Sequence, residues 1–237
     1  MRAPVERRKP GLGVQLRYSG GFRLPRHRHV RAYAAVVLSG EFVEAGDAGR
    51  HRLEAGNVVF HPAFEAHRDD FGRAGAVVLN VPMARCPPFA TGELTTLDGV
   101  IRLARRDPQA AAAALLEDAR PLQVSFADWP DALARALANE PGLSLATWAE
   151  RSGLSAQTLS RGFRQAYGTT PKRFRAEHRA QRAIRALAAW TGTLAELAAE
   201  LGFSDQAHLT RAVVSLTGLA PGQLRAKWIQ DLRRAPG

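Results

Sequence analysis

The last 95 or so residues of the chain contain one segment twice, and that repeat limits the fold more than any other feature. Leu145, Ala149, Gly153, Leu154 and Ser155 recur 49 residues later as Leu194, Ala198, Gly202, Phe203 and Ser204. Ser160, Arg161, Gly168, Pro171 and Arg175 recur 50 residues later as Thr210, Arg211, Gly218, Pro221 and Arg225. The extra residue falls between Ser204 and Leu209. A repeat this long, with matched glycines and prolines, predicts two copies of one supersecondary unit.

Each copy has the mechanics of a helix-turn-helix. In the first, Ser144 can cap a short helix, and Ala149 is small where a second helix must cross closely. Gly153 can take the positive φ of the turn, and Ser155 can cap the second helix. In the second copy, Thr193 and Glu196 form a T-x-x-E capping box, Gly202 repeats the turn, and Ser204 is read as the cap. The spacing predicts one helix-turn-helix over about 145–166, a connector helix over about 171–190, and another helix-turn-helix over about 193–216.

Leu145, Trp148, Leu159 and Phe163 would face the core, as would Leu194, Leu197, Leu209 and Val213. The other face of each second helix is polar. The first offers Gln157, Thr158, Ser160, Arg161 and Arg164; the second offers Asp205, Gln206, His208, Thr210 and Arg211. Gln pairs with adenine edges, and Arg with guanine edges or phosphates. A single such face is as well explained by solvation. Two in register, on helices separated by a rod of ~28 Å against ~34 Å per DNA turn, point to double-stranded DNA. Lys172, Arg173, Arg175, Arg179, Arg182 and Arg185 line the connector, where phosphate contact and plain solvation are both open.

Charge supports the same partner. Of a net +11, residues 143–237 carry 14 basic against 6 acidic side chains. Each Lys or Arg set against a phosphate releases a condensed counterion. The lone Cys86 permits no internal disulfide, which fits a reducing compartment such as the cytoplasm. Residues 1–13 read as a mobile basic tail without the apolar run of a secretory signal. No uninterrupted apolar stretch is long enough for a membrane span, so no membrane partner is expected.

Upstream the period changes. Residues 14–90 read as short β-strands: Ala34–Leu38, Asn57–Phe60 and Ala76–Leu79 are apolar runs punctuated by glycine. Pro87 and Pro88 mark a boundary, and residues 91–140 read as a helical linker or dimerisation region. Packing against the strands is the other role open to it. The expected architecture is α+β in two domains: an N-terminal β-barrel or sandwich, then an all-α tandem helix-turn-helix domain over 141–237.

The C-terminal residues resemble the AraC/XylS family of bacterial regulators. The resemblance rests on Leu145…Ala149…Gly153-Leu-Ser155…Leu159-Ser-Arg-Gly-Phe163, on Gly168-Thr-Thr-Pro171 and Arg179-Ala-Gln-Arg-Ala183, and on the block Leu194 to Leu209 closing with Gly218 to Arg225. It implies activation or repression of promoters through adjacent major grooves and, often, contact with RNA polymerase; a homodimer through the 91–140 region is a further open partner. By motif position it implies DNA contacts at Gln157, Ser160, Arg161, Gln206, Thr210 and Arg211. The family usually has Phe at positions 209, 213 and 216, where this chain has Leu209, Val213 and Leu216.

Residues 21–40 resemble the first cupin motif, with Gly21, His27, His29 and Gly40 in place and Tyr33 where the metal-binding Glu is usual. A degenerate second motif has Gly56, Pro62 and His67, with Phe64 where Gly is usual. The resemblance implies a cupin-like sensor domain in which His27, His29, Tyr33 and His67 contact a small-molecule effector. His27, His29 and His67 could hold a divalent transition metal if one is bound, although no cofactor is required. His61 is a substitute ligand whose direction alternation leaves open.

The reading preferred is a non-enzymatic, effector-responsive transcription regulator. Competing readings are a metal-dependent cupin enzyme or metal sensor with a DNA-binding appendage, an architectural DNA binder, and a methyl-accepting repair protein. The last needs a metal-activated thiolate, and Cys86 beside two prolines is a poor candidate.

Overall fold

The computed structural model describes residues 15–122 and 126–234. The expected basic tail at 1–13 lies outside the described residues. The chain divides into two compact units, Met1–Phe126 and Ala127–Gly237.

The first unit is built on an eight-stranded sheet whose pairings are all antiparallel. Its strands are β1 (Gln15–Tyr18), β2 (Arg23–Arg28), β3 (Tyr33–Gly46), β4 (Gly49–Glu54), β5 (Asn57–His61), β6 (Ala66–Pro82), β7 (Thr91–Glu93) and β8 (Arg120–Pro121). The long β3 and β6 pair with each other, and each exchanges its outer partner midway. β3 runs beside β5 through Tyr33–Val36 and beside β4 from Glu41 to Gly46. β6 runs beside β2 near Ala66–Asp70 and beside β1 through Ala76–Leu79.

The exchange happens where the register of β3 on β6 shifts, between Val37 and Ser39 and again between Gly40 and Phe42. Gly40 has φ +77° and Gly75 has φ +72°. A Cβ on Gly40 would lie 2.0 Å from the Gly75 carbonyl oxygen. Two residues without side chains let the backbones touch as the strands bend, the usual role of glycine at a bulge.

The sheet is apolar on both faces. One face buries Ala34, Val36, Val58, Phe60, Leu79 and Val81 against helices α1 (Leu97–Arg106) and α2 (Pro108–Asp118), through Val100, Ala104, Ala111 and Leu115. The other buries Ala35, Val37, Phe42, Leu53, Val59, Phe71 and Val78. Burial on both sides explains the continuous apolar run at 34–38.

Most of residues 91–140 therefore belong to the sheet unit and do not form a separate linker. β7 pairs with β5, α1 and α2 cover the sheet, and only α3 (Trp129–Asn139) belongs to the second unit. Leu97, Val100, Ile101 and Leu103 all pack into the sheet core. Leaving that face in water would forfeit roughly 25 cal/mol per Å² of apolar surface. Pro87 and Pro88 punctuate a loop, not a domain boundary.

The second unit continues with α4 (Leu145–Arg151), α5 (Ala156–Tyr167), α6 (Pro171–Leu187), α7 (Leu194–Glu200), α8 (Gln206–Thr217) and α9 (Pro221–Arg234). α4–α5 and α7–α8 are the two helix-turn-helix copies, and α6 joins them. Ser144 and Ser155 cap α4 and α5, accepting from the Thr147 and Thr158 N–H groups. The Thr193–Glu196 capping box is complete on α7. Gly153 and Gly202 take φ +64° and +71° in the turns. Leu159, Phe163, Leu197, Leu209 and Val213 are at most 3% exposed, and Ala149 and Ala198 lie buried at the crossings.

One cap differs from expectation. Asp205, not Ser204, caps α8, accepting from the His208 N–H at 2.6 Å. The additional residue of the second copy lengthens its turn by one, so the turn glycines match at 49 residues and the caps at 50. The carboxylate complements the positive end of the helix, and its bond from the His208 N–H holds the Asp205 pKa below the ordinary value.

Gly162 sits inside α5, where glycine is a poor helix former. A Cβ there would lie 2.4 Å from Trp129 Cζ2 on α3. Gly162→Ala is therefore expected to destabilise the second unit by about 1–3 kcal/mol through overpacking. All four tryptophans (Trp129, Trp148, Trp190 and Trp228) lie in that unit. Tryptophan fluorescence in a denaturant titration thus reports on it alone, and an unchanged midpoint contradicts the α3–α5 contact.

Candidate functional site

The polar faces of α5 and α8 form the first candidate site. Gln157, Arg161 and Arg164 are exposed on α5, and Gln206 and Arg211 on α8. Ser160 and Thr210 are half-buried at the edges of these faces. Arg161 and Arg211 occupy the same position in the two copies. Arg161 and Arg164 make no hydrogen bond or ion pair among the described residues, while Arg211 lies in the field of Asp205.

Two residues expected on these faces are occupied elsewhere. The Thr158 hydroxyl accepts from Ser155 Oγ at 2.9 Å. His208 Nδ1 lies 3.1 Å from Ser204 Oγ, and its ring stands edge-on to Phe203. Both are half-buried and close the start of their helix.

The connector α6 is shorter than expected, ending at Leu187. At 1.5 Å per residue its 17 residues span about 26 Å. It packs against both α5 and α8. Some of its cations serve the fold: Arg173 pairs with the buried Glu177 at 2.9 Å. Arg179 donates to the Gly202 carbonyl at 2.8 Å and lies over the Phe203 ring, bracing the second turn. Sequence reasoning did not single out that role, because the two residues are 23 positions apart.

His178, on the same helix, is held neutral. Burial, then the charges of Arg185 and Arg182, push its pKa down to about 4 from 6.5. The unfolded chain takes up this proton first as pH falls, so its contribution is present above pH 6.5 and lost between 6.5 and 4. The fluorescence-detected unfolding midpoint is expected to drop across that window, and His178→Leu to flatten the slope. A wild-type midpoint constant from pH 6.5 to 5 contradicts this.

The second candidate site lies in the sheet unit. His27 and His67 are cross-strand partners with ring centroids 4.3 Å apart. Tyr33 and His61 face each other across β3 and β5, stacked at 4.4 Å. The Tyr33 hydroxyl lies 3.2 Å from His67 Nε2, and the His29 ring is 4.6 Å from that of Tyr33. The structure thus brings His27, His29, Tyr33 and His67 together. It settles the direction of His61, left open by alternation, and adds Glu44, Asp69 and Glu65, which were not anticipated. His61 turns inward, with Nε2 3.2 Å from Glu44 Oε2. Asp69 pairs in register with Glu44, and Glu65 lies 3.9 Å from His61. Asp69 was legible, since it stands two residues beyond His67 on the same strand face.

Burial dominates the protonation of this cluster. It pushes Glu44 and Glu65 up to about 8 and Asp69 well above its usual range. It pushes His29 down to about 4, and His27, His61 and His67 below their ordinary value. Neutral imidazoles keep a lone pair, the form that binds metals. His29 Nε2, His61 Nδ1, His67 Nδ1 and Asp69 Oδ1 are buried without a hydrogen-bond partner. Such groups call for an occupant, whether water, ion or ligand. His27, His29 and His67 offer ligand atoms within 4.8 Å of one another, as do Glu44, His61 and His67. The donor set fits a divalent transition metal.

Phe64 is the one described non-glycine residue with positive φ, at 66°. It stands where the cupin resemblance expects glycine, and the backbone keeps the left-handed form at about 1–2 kcal/mol. Its N–H donates to the His29 carbonyl at 2.8 Å, and Arg28 Nε donates to its carbonyl at 2.9 Å. The turn thereby pins the loop that carries His29. Cys86 is half-buried and its thiol is pushed up to about 11, chiefly by burial, which disfavours a nucleophilic thiolate.

Two helix-turn-helix copies in register, each with a capped second helix and an outward polar face, define a tandem helix-turn-helix DNA-binding domain. It is accompanied by an antiparallel β unit. Residues 148–227 match the family model described as "Helix-turn-helix domain", about a third of the chain. No curated protein matches the chain in sequence.

Several solved structures are similar. The DNA-binding domain of AdpA, described as a global transcriptional factor in complex with a target DNA, is 24% identical, with a TM-score of 0.41. That match covers 46% of this chain and 100% of the other. The C-terminal domain of AraT, a response regulator from Geobacillus stearothermophilus, is 22% identical over 41% of this chain and 84% of its own, with a TM-score of 0.39. ToxT from Vibrio cholerae is 7% identical over 89% and 96%, with a TM-score of 0.40. Among the described residues, no helix is long and apolar enough to cross a membrane.

Proposed function

We propose that this protein is a sequence-specific transcription regulator of the AraC/XylS type, acting in the cytoplasm and responsive to a small molecule bound by its N-terminal unit. The observation that carries the reading is the equivalence of Arg161 and Arg211, exposed at the same position of two capped helices. Gln157, Arg164 and Gln206 extend those faces. Guanidinium and amide groups read base edges in the major groove and also hold phosphates. No catalytic step is assigned to the chain.

The effector part of the reading is supported by the cluster of His27, His29, Tyr33 and His67, in which the buried His29 Nε2 and His67 Nδ1 would gain from a ligand. A ligand shifts the regulator only by the difference in its affinity for two states. The test is footprinting of the full-length protein on genomic promoter fragments at moderate salt, with and without candidate metabolites. Discrete protected sites are expected, with protection altered by one class of metabolite. Uniform, sequence-independent coverage would contradict the regulator reading, and protection indifferent to every metabolite would remove the effector part.

A further inference from the structure

The geometry points to a divalent transition-metal site formed by Glu44, His61 and His67, in which Glu44 supplies the anionic ligand. This deepens the effector reading, on whose cluster it rests.

Three observations support it. First, the spacing is right. Ligand atoms each about 2.0–2.1 Å from a tetrahedral zinc stand about 3.3 Å apart. His61 Nε2 and Glu44 Oε2 are 3.2 Å apart, and the ligand atoms of Glu44, His61 and His67 all lie within 4.8 Å of one another. An ion can therefore replace the proton between His61 and Glu44 with a small closure by His67.

Second, the chemistry is right. Two imidazoles and one carboxylate are a familiar ligand set for zinc and for iron with open positions. His27, His29 and His67 together lack an anionic ligand. Third, the site is deeply buried yet incompletely bonded. Glu44, His61 and His67 are 3%, 2% and 2% exposed, and Nδ1 of each histidine has no hydrogen-bond partner. A buried carboxylate facing imidazoles and a second buried carboxylate, Asp69, gains most from a compact dication.

The folding pattern explains how Glu44 arrives there. Counting by twos along β3 from Tyr33 puts Glu44 on the opposite face of the sheet. The register shifts around Ser39 and Gly40 reverse that parity, so Phe42 and Glu44 return to the face of Tyr33, Ala35 and Val37. The bend thus delivers a carboxylate from the far half of β3 to the face that carries Tyr33 at its start.

The test is Co²⁺ binding by the full-length chain after dialysis against chelator, read by calorimetry and by visible absorption of the bound ion. One equivalent is expected for the wild type. Loss of a supporting partner alone typically weakens a metal site by about 10–100-fold, so loss of a direct ligand in Glu44→Gln or His61→Gln is expected to cost at least about 100-fold. His27→Gln is expected to stay within a few-fold of wild type. Circular dichroism establishes that each variant is folded, and the two ligand variants stand in for each other if one is not. The proposal is overturned if the wild type takes up no cobalt, if a folded Glu44→Gln or His61→Gln variant retains wild-type affinity, or if His27→Gln loses as much as they do. Because the readout is metal and not DNA, its failure leaves the footprinting result untouched.

Discussion

Gly40→Ala is expected to destabilise the sheet unit by about 3 kcal/mol or more, combining overpacking with left-handed strain. Gly40 has φ +77°, where a Cβ costs about 1–2 kcal/mol on its own. The new atom would also fall 2.0 Å from the Gly75 carbonyl oxygen and 2.8 Å from the Ala76 Cα. Neither neighbour is the end of a flexible side chain, so the strands themselves must part. They part at the bend that sets the partners of both long strands and the inward direction of Glu44. Calorimetry is expected to show the sheet transition moved to much lower temperature. Tryptophan fluorescence follows the second unit and distinguishes its transition from that of the sheet. A sheet transition within error of the wild type would mean that β3 and β6 do not approach at this bend.

The second large effect concerns DNA. Each base-reading arginine is worth about 1–3 kcal/mol of discrimination, and distant sites add, so Arg161→Ala with Arg211→Ala should cost about 2–6 kcal/mol on a specific site. That is a loss of roughly 30-fold to more than 10,000-fold. The measurement is anisotropy of a labelled site found by footprinting, beside a scrambled duplex at the same salt. A large loss on the specific site with a small loss on the scrambled one marks base reading. Equal losses, with a shallower salt dependence, mark phosphate contact instead. No loss on either duplex removes both side chains from the interface. Neither substitution touches the core, since both side chains are exposed.

The helix-turn-helix copies were largely legible in the chain because their determinants are local. A cap, a turn glycine and an apolar residue every three or four positions act within a few residues of one another. The capping box at Thr193 and the outward polar residues of α5 needed no tertiary knowledge. The cap of α8 was misplaced by one residue because an insertion in the turn leaves Ser204 and Asp205 equally plausible as caps. Only packing then decided, by turning Ser204 to His208 and giving Asp205 the helix N–H.

The sheet unit was less readable, for a different reason. Strand alternation carries facing information only until a bulge, and β3 has irregular steps between Val37 and Phe42. The sequence by itself determined the two capped helical pairs, their polar faces, and the histidines at 27, 29 and 67 as a set. Tertiary structure alone decided that residues 97–118 cover the sheet, that Arg179 braces the second turn, and that Glu44 and His61 join His67. Those outcomes depend on contacts between residues far apart in the chain, whose geometry is set by strand pairing and burial and leaves no mark in local spacing.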